Sequence, residues 1–171
     1  FYLECVLYFM YTKKGGFFMY NQKHPNHLYL RKFKERDKVT IGRCIAHKIP
    51  FGPAKIKDAS INDMIQEVDN EYSLIIADKM SGNMLGVIQF YELANILSID
   101  IWLFPWYEDN SPFATEAVEE FINYVRENEP EVKRVRMYAT NDKPQFMAAA
   151  VRNGFTKASE NEWEKKIIRI R

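Results

Sequence analysis

Cysteine is almost missing from this chain: Cys5 and Cys44 are the only two in 171 residues. Their spacing suggests neither a disulfide framework nor a metal site, so a reducing cytoplasm is the expected compartment. Long apolar runs are missing too. Although 47% of the residues are hydrophobic, no uninterrupted run nears the roughly 18 residues that cross a bilayer, so no membrane-spanning segment is expected. His24, His27 and His47 are the three histidines and form no metal-like pattern, so no metal is expected. Internal repeats and low-complexity segments are absent. Net charge is nearly absent as well, at +1, but it is unevenly laid out: residues 1–57 hold 12 Lys and Arg against 3 Asp and Glu, and residues 58–171 hold 12 against 20. No RNA-binding signature accompanies the basic part. The two parts are therefore read as neutralising each other in the fold, with no nucleic-acid partner.

A chain of this length is expected to form one domain with a sizeable core, and its most informative stretch runs from Ile96 to Val125. Residues 96–103 alternate as a strand does, with Leu97, Ile99, Ile101 and Leu103 on one face and Ser98, Asp100 and Trp102 on the other. After a break at residues 104–110, Ser111-Pro112 reads as the N-cap and first residue of a helix, since proline needs no amide partner there. Ala114, Ala117, Val118, Phe121, Ile122 and Val125 recur at three- and four-residue intervals and form one apolar stripe, with Glu116, Glu119, Glu120 and Asn123 turned away. A strand that passes through a loop into a helix start gathers unpaired amides and the positive end of the helix dipole at one spot, which suits an anion such as a phosphate.

The other elements follow from the same periodicities. Residues 28–33 predict a first strand and residues 36–48 a first helix stopped by Pro50, with residues 51–53 a loop. Asp58-Ala59-Ser60 predicts the cap of a second helix with Ile61, Met64, Ile65 and Val68 on one face. Residues 72–77 and 84–91 predict a hairpin whose turn, residues 78–83, carries Ser81-Gly82-Asn83, residues that tolerate positive φ. Residues 134–140 predict a strand with Val135 and Met137 inward. Asn141-Asp142 then predicts the cap of a helix that has Pro144 in its first turn and Phe146, Met147, Ala150 and Val151 on its buried side. Gly154 predicts a left-handed C-cap covered by Phe155, and residues 163–171 a last strand.

Residues 1–26 fit poorly with this pattern and are read as an N-terminal extension of a domain spanning 27–171. Their apolar start lacks the basic residues of a signal peptide. Lys14-Gly15-Gly16 ahead of Met19 can be encoded by a purine-rich, AAAGGAGG-type ribosome-binding site before a start codon. Residues 1–18 are thus expected to be a read-through leader, or else an added strand or arm through which two copies form a homodimer. N-terminal sequencing of protein made from its native gene decides between the two.

Pro112-Phe113-Ala114-Thr115-Glu116-Ala117 resembles the Gly-Tyr-Ala-Thr-Glu-Ala that opens the long helix of the GNAT acetyltransferase superfamily, in particular its ribosomal-protein-acetyltransferase-like branch. Asn141, three residues before Pro144, and Val151-Arg152-Asn153-Gly154-Phe155 resemble that family's Asn-x-x-Ser followed by a helix ending in Gly-Phe. Leu28-Tyr29-Leu30-Arg31 followed by Glu35-Arg36-Asp37 resembles its first strand and the acidic start of its first helix. The resemblance implies a GNAT-like α/β (α+β) fold, with a mixed, mostly antiparallel sheet of six or seven strands, about four helices and a cleft where the central strand splays from the next. It implies an N-acetyltransferase that moves an acetyl group from acetyl-CoA, as co-substrate, to a primary amine of a small molecule or protein N-terminus. It also places the loop around Phe51 at the acceptor cleft. The alternative is a member without catalysis that senses a ligand or binds a protein.

Acetyl-CoA would then be held by Trp102, Leu103, Phe104, Ser111, Phe113, Ala114, Thr115 and Asn141. The family's diphosphate pattern, Gln/Arg-x-x-Gly-x-Gly/Ala, falls on residues 109–114, where Asp109 replaces a cation, and Pro112 replaces glycine and removes one donor amide. A helix N-terminus favours an anion by roughly 0.3 to 2 kcal/mol. A carboxylate about 4 Å away opposes it by about 1 kcal/mol in water and about 4 at an effective dielectric of 20, so Glu108 and Asp109 must face solvent for the grip to survive. For taking the proton from an amine of pKa near 10, Asp100 is the best placed carboxylate, ahead of Glu92 and Glu71. For returning a proton to the thiolate, many members use a tyrosine where this chain has Ala150, and Tyr138 or Tyr107 would substitute. Pro144 stands where the family has serine and loses its hydroxyl.

Overall fold

The computed structural model describes residues 27–49, 60–104 and 111–169, and there the apolar alternation of the sequence becomes one mixed sheet. The expectations for the N-terminal extension, the Phe51 loop, Asp58-Ala59, Tyr107, Glu108 and Asp109 lie outside the described residues. The strands are β1 (Leu28–Arg31), β2 (Ser73–Asp78), β3 (Met84–Leu93), β4 (Ile96–Leu103), β5 (Arg134–Tyr138), β6 (Thr156–Lys157) and β7 (Glu162–Lys166). The helices are α1 (Lys38–Ala46), entered through a 3-10 turn (Glu35–Asp37), α2 (Ile61–Val68), α3 (Ser111–Asn128) and α4 (Pro144–Arg152). The sheet order is β1-β2-β3-β4-β5-β7-β6, and every neighbouring pair is antiparallel except β4 and β5. No helix among the described residues is long and apolar enough to cross a membrane.

At β2 both faces of the sheet are covered, which explains why this strand is buried from Ser73 to Ala77 rather than on alternate residues. On one face Ile41 and Cys44 of α1 and Met64 and Val68 of α2 pack against Ile75, Ala77 and Val87. On the other, the α3 stripe read from the sequence, Ala114, Ala117, Val118, Phe121, Ile122 and Val125, is entirely buried beside Phe146, Ala149 and Ala150 of α4. Gly154 has φ +72° and completes a Schellman motif: the Phe155 amide donates to the Ala150 carbonyl (3.0 Å) and the Gly154 amide to the Val151 carbonyl (3.0 Å).

Several local expectations are corrected. The β1 strand stops at Arg31 and β5 at Tyr138. The last expected strand is a β6–β7 hairpin with β7 ending at Lys166. Helix α3 starts at Ser111 itself, making Pro112 its second residue. Glu116 is not turned away: its side chain is only 12% exposed, because its carboxylate accepts the Leu28 amide at the start of the edge strand β1 (2.7 Å). Asn141-Asp142 does not cap α4, whose N-cap is Lys143; the Asp142 carboxylate instead accepts from the nearby Thr140 hydroxyl, which holds its pKa low. On α4 Ala149 is buried and Val151 exposed. In the β2–β3 turn only Gly82 adopts positive φ. The β3–β4 connection is a two-residue turn at Ala94-Asn95, both at positive φ (52° and 62°), the primed geometry that matches strand twist.

One polar contact ties the first strand to the first helix. Arg31 forms a forked pair with Asp37 (2.6 and 2.7 Å) and donates to the Gly82 carbonyl (3.0 Å), while Asp37 also accepts the Lys34 amide (2.9 Å). Arg31 is 8% and Asp37 1% exposed, so removing one partner leaves a buried charge uncompensated. Asp37→Ala is expected to destabilise the fold by about 3–5 kcal/mol, read as a lower urea midpoint at unchanged slope; an unchanged midpoint would contradict the pairing.

Candidate active site

Strands β4 and β5 run side by side but pair only from Ile96↔Arg134 to Ile99↔Met137. Beyond that point β4 continues to Leu103 in register with β3, where Leu103 faces Gly86. The parting has a steric basis on the β3 side. A Cβ placed on Gly86 would meet the Trp102 carbonyl oxygen at 2.1 Å and the Leu103 Cα at 3.1 Å, so only glycine lets the end of β4 lie this close to β3 and away from β5. The Phe104 amide, which donates to the Leu85 carbonyl (3.1 Å), continues the ladder. Its alternation turns the backbone of Ile101 and Leu103 toward the edge that β5 has left.

The gap is a cavity of about 180 Å³ walled by Asp100, Ile101 and Trp102 from β4, Met137 and Tyr138 from β5, and Lys143 and Phe146 at the start of α4. The Lys143 ammonium lies 5.2 Å from the centre of the Trp102 ring and 5.9 Å from that of Phe146. The Trp102 indole N–H is buried with no hydrogen-bond partner among the described residues. A second cavity, of about 290 Å³, opens beside it between the end of α2 and the middle of β3, lined by Asn70, Tyr72, Ser73, Gln89, Tyr91 and again Asp100. Asp100 is the one carboxylate among the described residues that line either space, and it lines both.

Burial pushes the Asp100 carboxyl above the ordinary carboxylate value, and the Lys143 ammonium draws it part of the way back. The Tyr138 phenol is raised as well, by burial first and then by its hydrogen bond to Glu162, so it holds its proton at neutral pH. On the neighbouring strands Arg136 donates to Glu164 (2.8 and 2.5 Å), and Arg134 reaches the other Glu164 oxygen (3.2 Å). Those contacts hold Glu164 below the usual carboxylate range. Cys44 is no nucleophile candidate, because burial raises its thiol to about 11 within the α1 side of the core.

The profile of the acetyltransferase (GNAT) domain matches residues 27–156. The chain belongs to the GNAT acetyltransferase family. Solved structures share its fold at low identity. A GNAT-family acetyltransferase from Bacillus anthracis superposes with a TM-score of 0.65 at 16% identity, over 83% of this chain and 95% of that one. Spermidine N-acetyltransferase from Vibrio cholerae, solved with CoA and spermine, gives 0.63 at 11% over 84% and 97%. A candidate ribosomal-protein-serine acetyltransferase from Vibrio cholerae gives 0.58 at 16% over 84% and 95%. No curated protein matches the sequence.

The fold separates the residues singled out from the sequence in this GNAT chain, and the side chain of Ser111 lies outside what is described. Asp100, Trp102 and Tyr138 come together at the parted strands. Leu103, Phe104 and Ala114 have buried side chains and offer only backbone to a ligand. Phe113 and Thr115 are half-buried in the first turns of α3, and Asn141 is exposed in the turn after β5; neither the α3 start nor Asn141 lines the Asp100 cavity. Glu92 and Glu71 are exposed and line neither space. Ala150, at the family's tyrosine position, is fully buried. Sequence reading missed Gly86, although a glycine inside a strand is a recognised mark of close backbone approach. It also missed Asn153, whose side-chain amide donates to the Thr115 carbonyl (2.9 Å) and the Ala149 carbonyl (2.9 Å), locking the end of α4 to the start of α3. Gly86→Ala is expected to cost about 1–3 kcal/mol in a urea melt; wild-type stability would show that the strands have room there.

Proposed function

We propose that this GNAT chain transfers an acetyl group from acetyl-CoA to a primary amine of a small molecule or protein N-terminus, with Asp100 as general base. The observation that carries the reading is the position of Asp100 at the wall shared by two cavities. A thioester entering the gap between β4 and β5 and an amine entering from the α2 side meet at that carboxylate. As the amine nitrogen attacks, the C–N bond forms and the C–S bond breaks; Asp100 takes the amine proton, and Tyr138 is the candidate for returning a proton to the thiolate. The β4 edge at Trp102, Leu103 and Phe104, the start of α3 from Ser111 to Thr115, and Asn141 are the candidates for holding the CoA arm and diphosphate. The fold shared with a spermidine acetyltransferase supports a small-molecule amine as acceptor.

A carboxyl whose folded pKa is raised contributes stability only while protonated, below its unfolded pKa, and that contribution is lost as pH rises through the folded pKa. Above that folded pKa the charged Asp100 therefore weakens the fold while serving as a base. Asp100→Asn is expected to lower the turnover rate by about 10²- to 10⁴-fold, to remove the rise of rate with pH through that pKa, and to leave the melting temperature equal or higher. A drop in rate of under tenfold with unchanged pH dependence would remove Asp100 from the chemistry.

The second reading is a member that kept the fold and lost transfer, favoured by the buried Ala150 and by Pro112, which gives α3 one amide fewer to offer. A thermal shift followed by a thiol-release assay separates the two readings. Acetyl-CoA at a hundred times its Kd adds about 2.7 kcal/mol, about 5 to 10 °C for a chain of this size. No shift at millimolar acetyl-CoA would end the transferase reading. A shift without thiol release on any amine would favour the sensing one.

A further inference from the structure

Acetyl transfer moves one negative charge across the gap between β4 and β5. Before the reaction the charge sits on the Asp100 carboxylate. Once the amine proton has reached Asp100 and the C–S bond has broken, it sits on the CoA sulfur. A positive group within reach of both places answers the charge throughout, without reorganising as the reaction proceeds. Neither residue expected to serve the sulfur is positive. Ala150 has no donor and is fully buried, and the Tyr138 phenol is neutral and hydrogen-bonded to Glu162.

Lys143 is placed for this. It is the one cation among the described residues that line either cavity, and it stands near enough to Asp100 to draw that carboxyl's pKa down. Its ammonium lies 5.2 Å from the centre of the Trp102 ring and 5.9 Å from that of Phe146, ring faces that attract a cation. The apolar walls supplied by Ile101, Met137 and Phe146 lower the local dielectric, so a charge there is felt more strongly than in water. The main chain that carries the side chain is pinned. The Lys143 amide donates to the Thr140 carbonyl (3.0 Å), the Lys143 carbonyl accepts the Phe146 amide (3.1 Å), and Pro144 restricts the residue before it. The other carboxylate that acts on this ammonium, Asp142, is exposed and accepts from the Thr140 hydroxyl.

We infer that Lys143 is the group that holds the CoA thiolate as the C–S bond breaks; the inference rests on the transferase reading and assigns to this chain a role that its alanine at position 150 cannot fill. A lysine ammonium ordinarily ionises at about 10.4 and an alkyl thiol at about 8.5, so a proton between the two stays on nitrogen. Lys143 therefore acts by charge and is not the acid. The sulfur keeps the electron pair of the broken C–S bond beside the ammonium until Tyr138 or solvent returns a proton.

A thiol that ionises more easily when bound than when free makes CoA bind more tightly as pH rises from below the bound value to the free one. The test measures, by calorimetric titration of the full chain at a series of pH values, the Kd of CoA and of desulfo-CoA, which lacks the thiol. Taking the ratio of the two cancels the ionisations of phosphates and protein groups that both ligands share. The ratio in favour of CoA is expected to rise at least about tenfold in the wild type and in Lys143→Arg, one pKa unit of the thiol, and less than about threefold in Lys143→Met. A ratio that stays flat in the wild type, or a rise undiminished in Lys143→Met, would overturn the inference. CoA binding with a flat ratio removes the role of Lys143 and leaves the transferase reading in place, whereas no binding of CoA removes both. If Lys143→Met does not fold, Lys143→Gln replaces it with the same expectation.

Discussion

The structure turns on a pairing that stops. Two parallel strands that begin in register, β4 and β5, separate after Ile99 and Met137, although each keeps its antiparallel neighbour on the other side. A sheet does not part in its middle without compensation, since every backbone group released there needs a partner or solvent. Here the compensation is local. Gly86 allows the end of β4 to crowd onto β3, and α4 sets Phe146 and Lys143 at the far side of the gap. The start of α3 is held by Asn153, so the helix that follows β4 is fixed by the helix that follows β5.

From that parting the electrostatics follow. The open face of β5 and β7 carries Arg134, Arg136, Glu162 and Glu164, and these satisfy one another. Exposed pairs of this kind add little stability, but they leave Asp100 as the carboxylate at the gap, half-buried and raised by the burial that the parting creates. A carboxylate in that state is a better base and a poorer contributor to stability, which is the trade expected where a fold serves chemistry. The buried Trp102 N–H and Gln89 Oε1, both without hydrogen-bond partners among the described residues, belong to the side chains that line the two cavities at Asp100.

Much of this was legible in the sequence, for physical reasons that differ by element. The α3 stripe and the β4 alternation could be read because burial on one face imposes a period, and all six stripe residues are buried. Gly154 could be read because only glycine adopts its φ without strain. The misread positions are those decided by partners far along the chain or by local competition. Glu116 looks like a solvent-facing helix residue until the amide of Leu28, 88 positions away, claims it. Asp142 looks like a cap until the Thr140 hydroxyl takes its carboxylate. Position 100 was legible as a polar residue mid-strand, whereas its place between two cavities depends on where β5 turns away, and no periodicity encodes that.

The most direct measurement is a crystal structure of the chain grown with CoA. The account places the pantetheine arm in the gap between β4 and β5, with its sulfur in the cavity walled by Asp100, Trp102 and Tyr138 and its diphosphate at the start of α3. Density for CoA outside that gap, or β5 closed against β4 as far as Leu103, would contradict it.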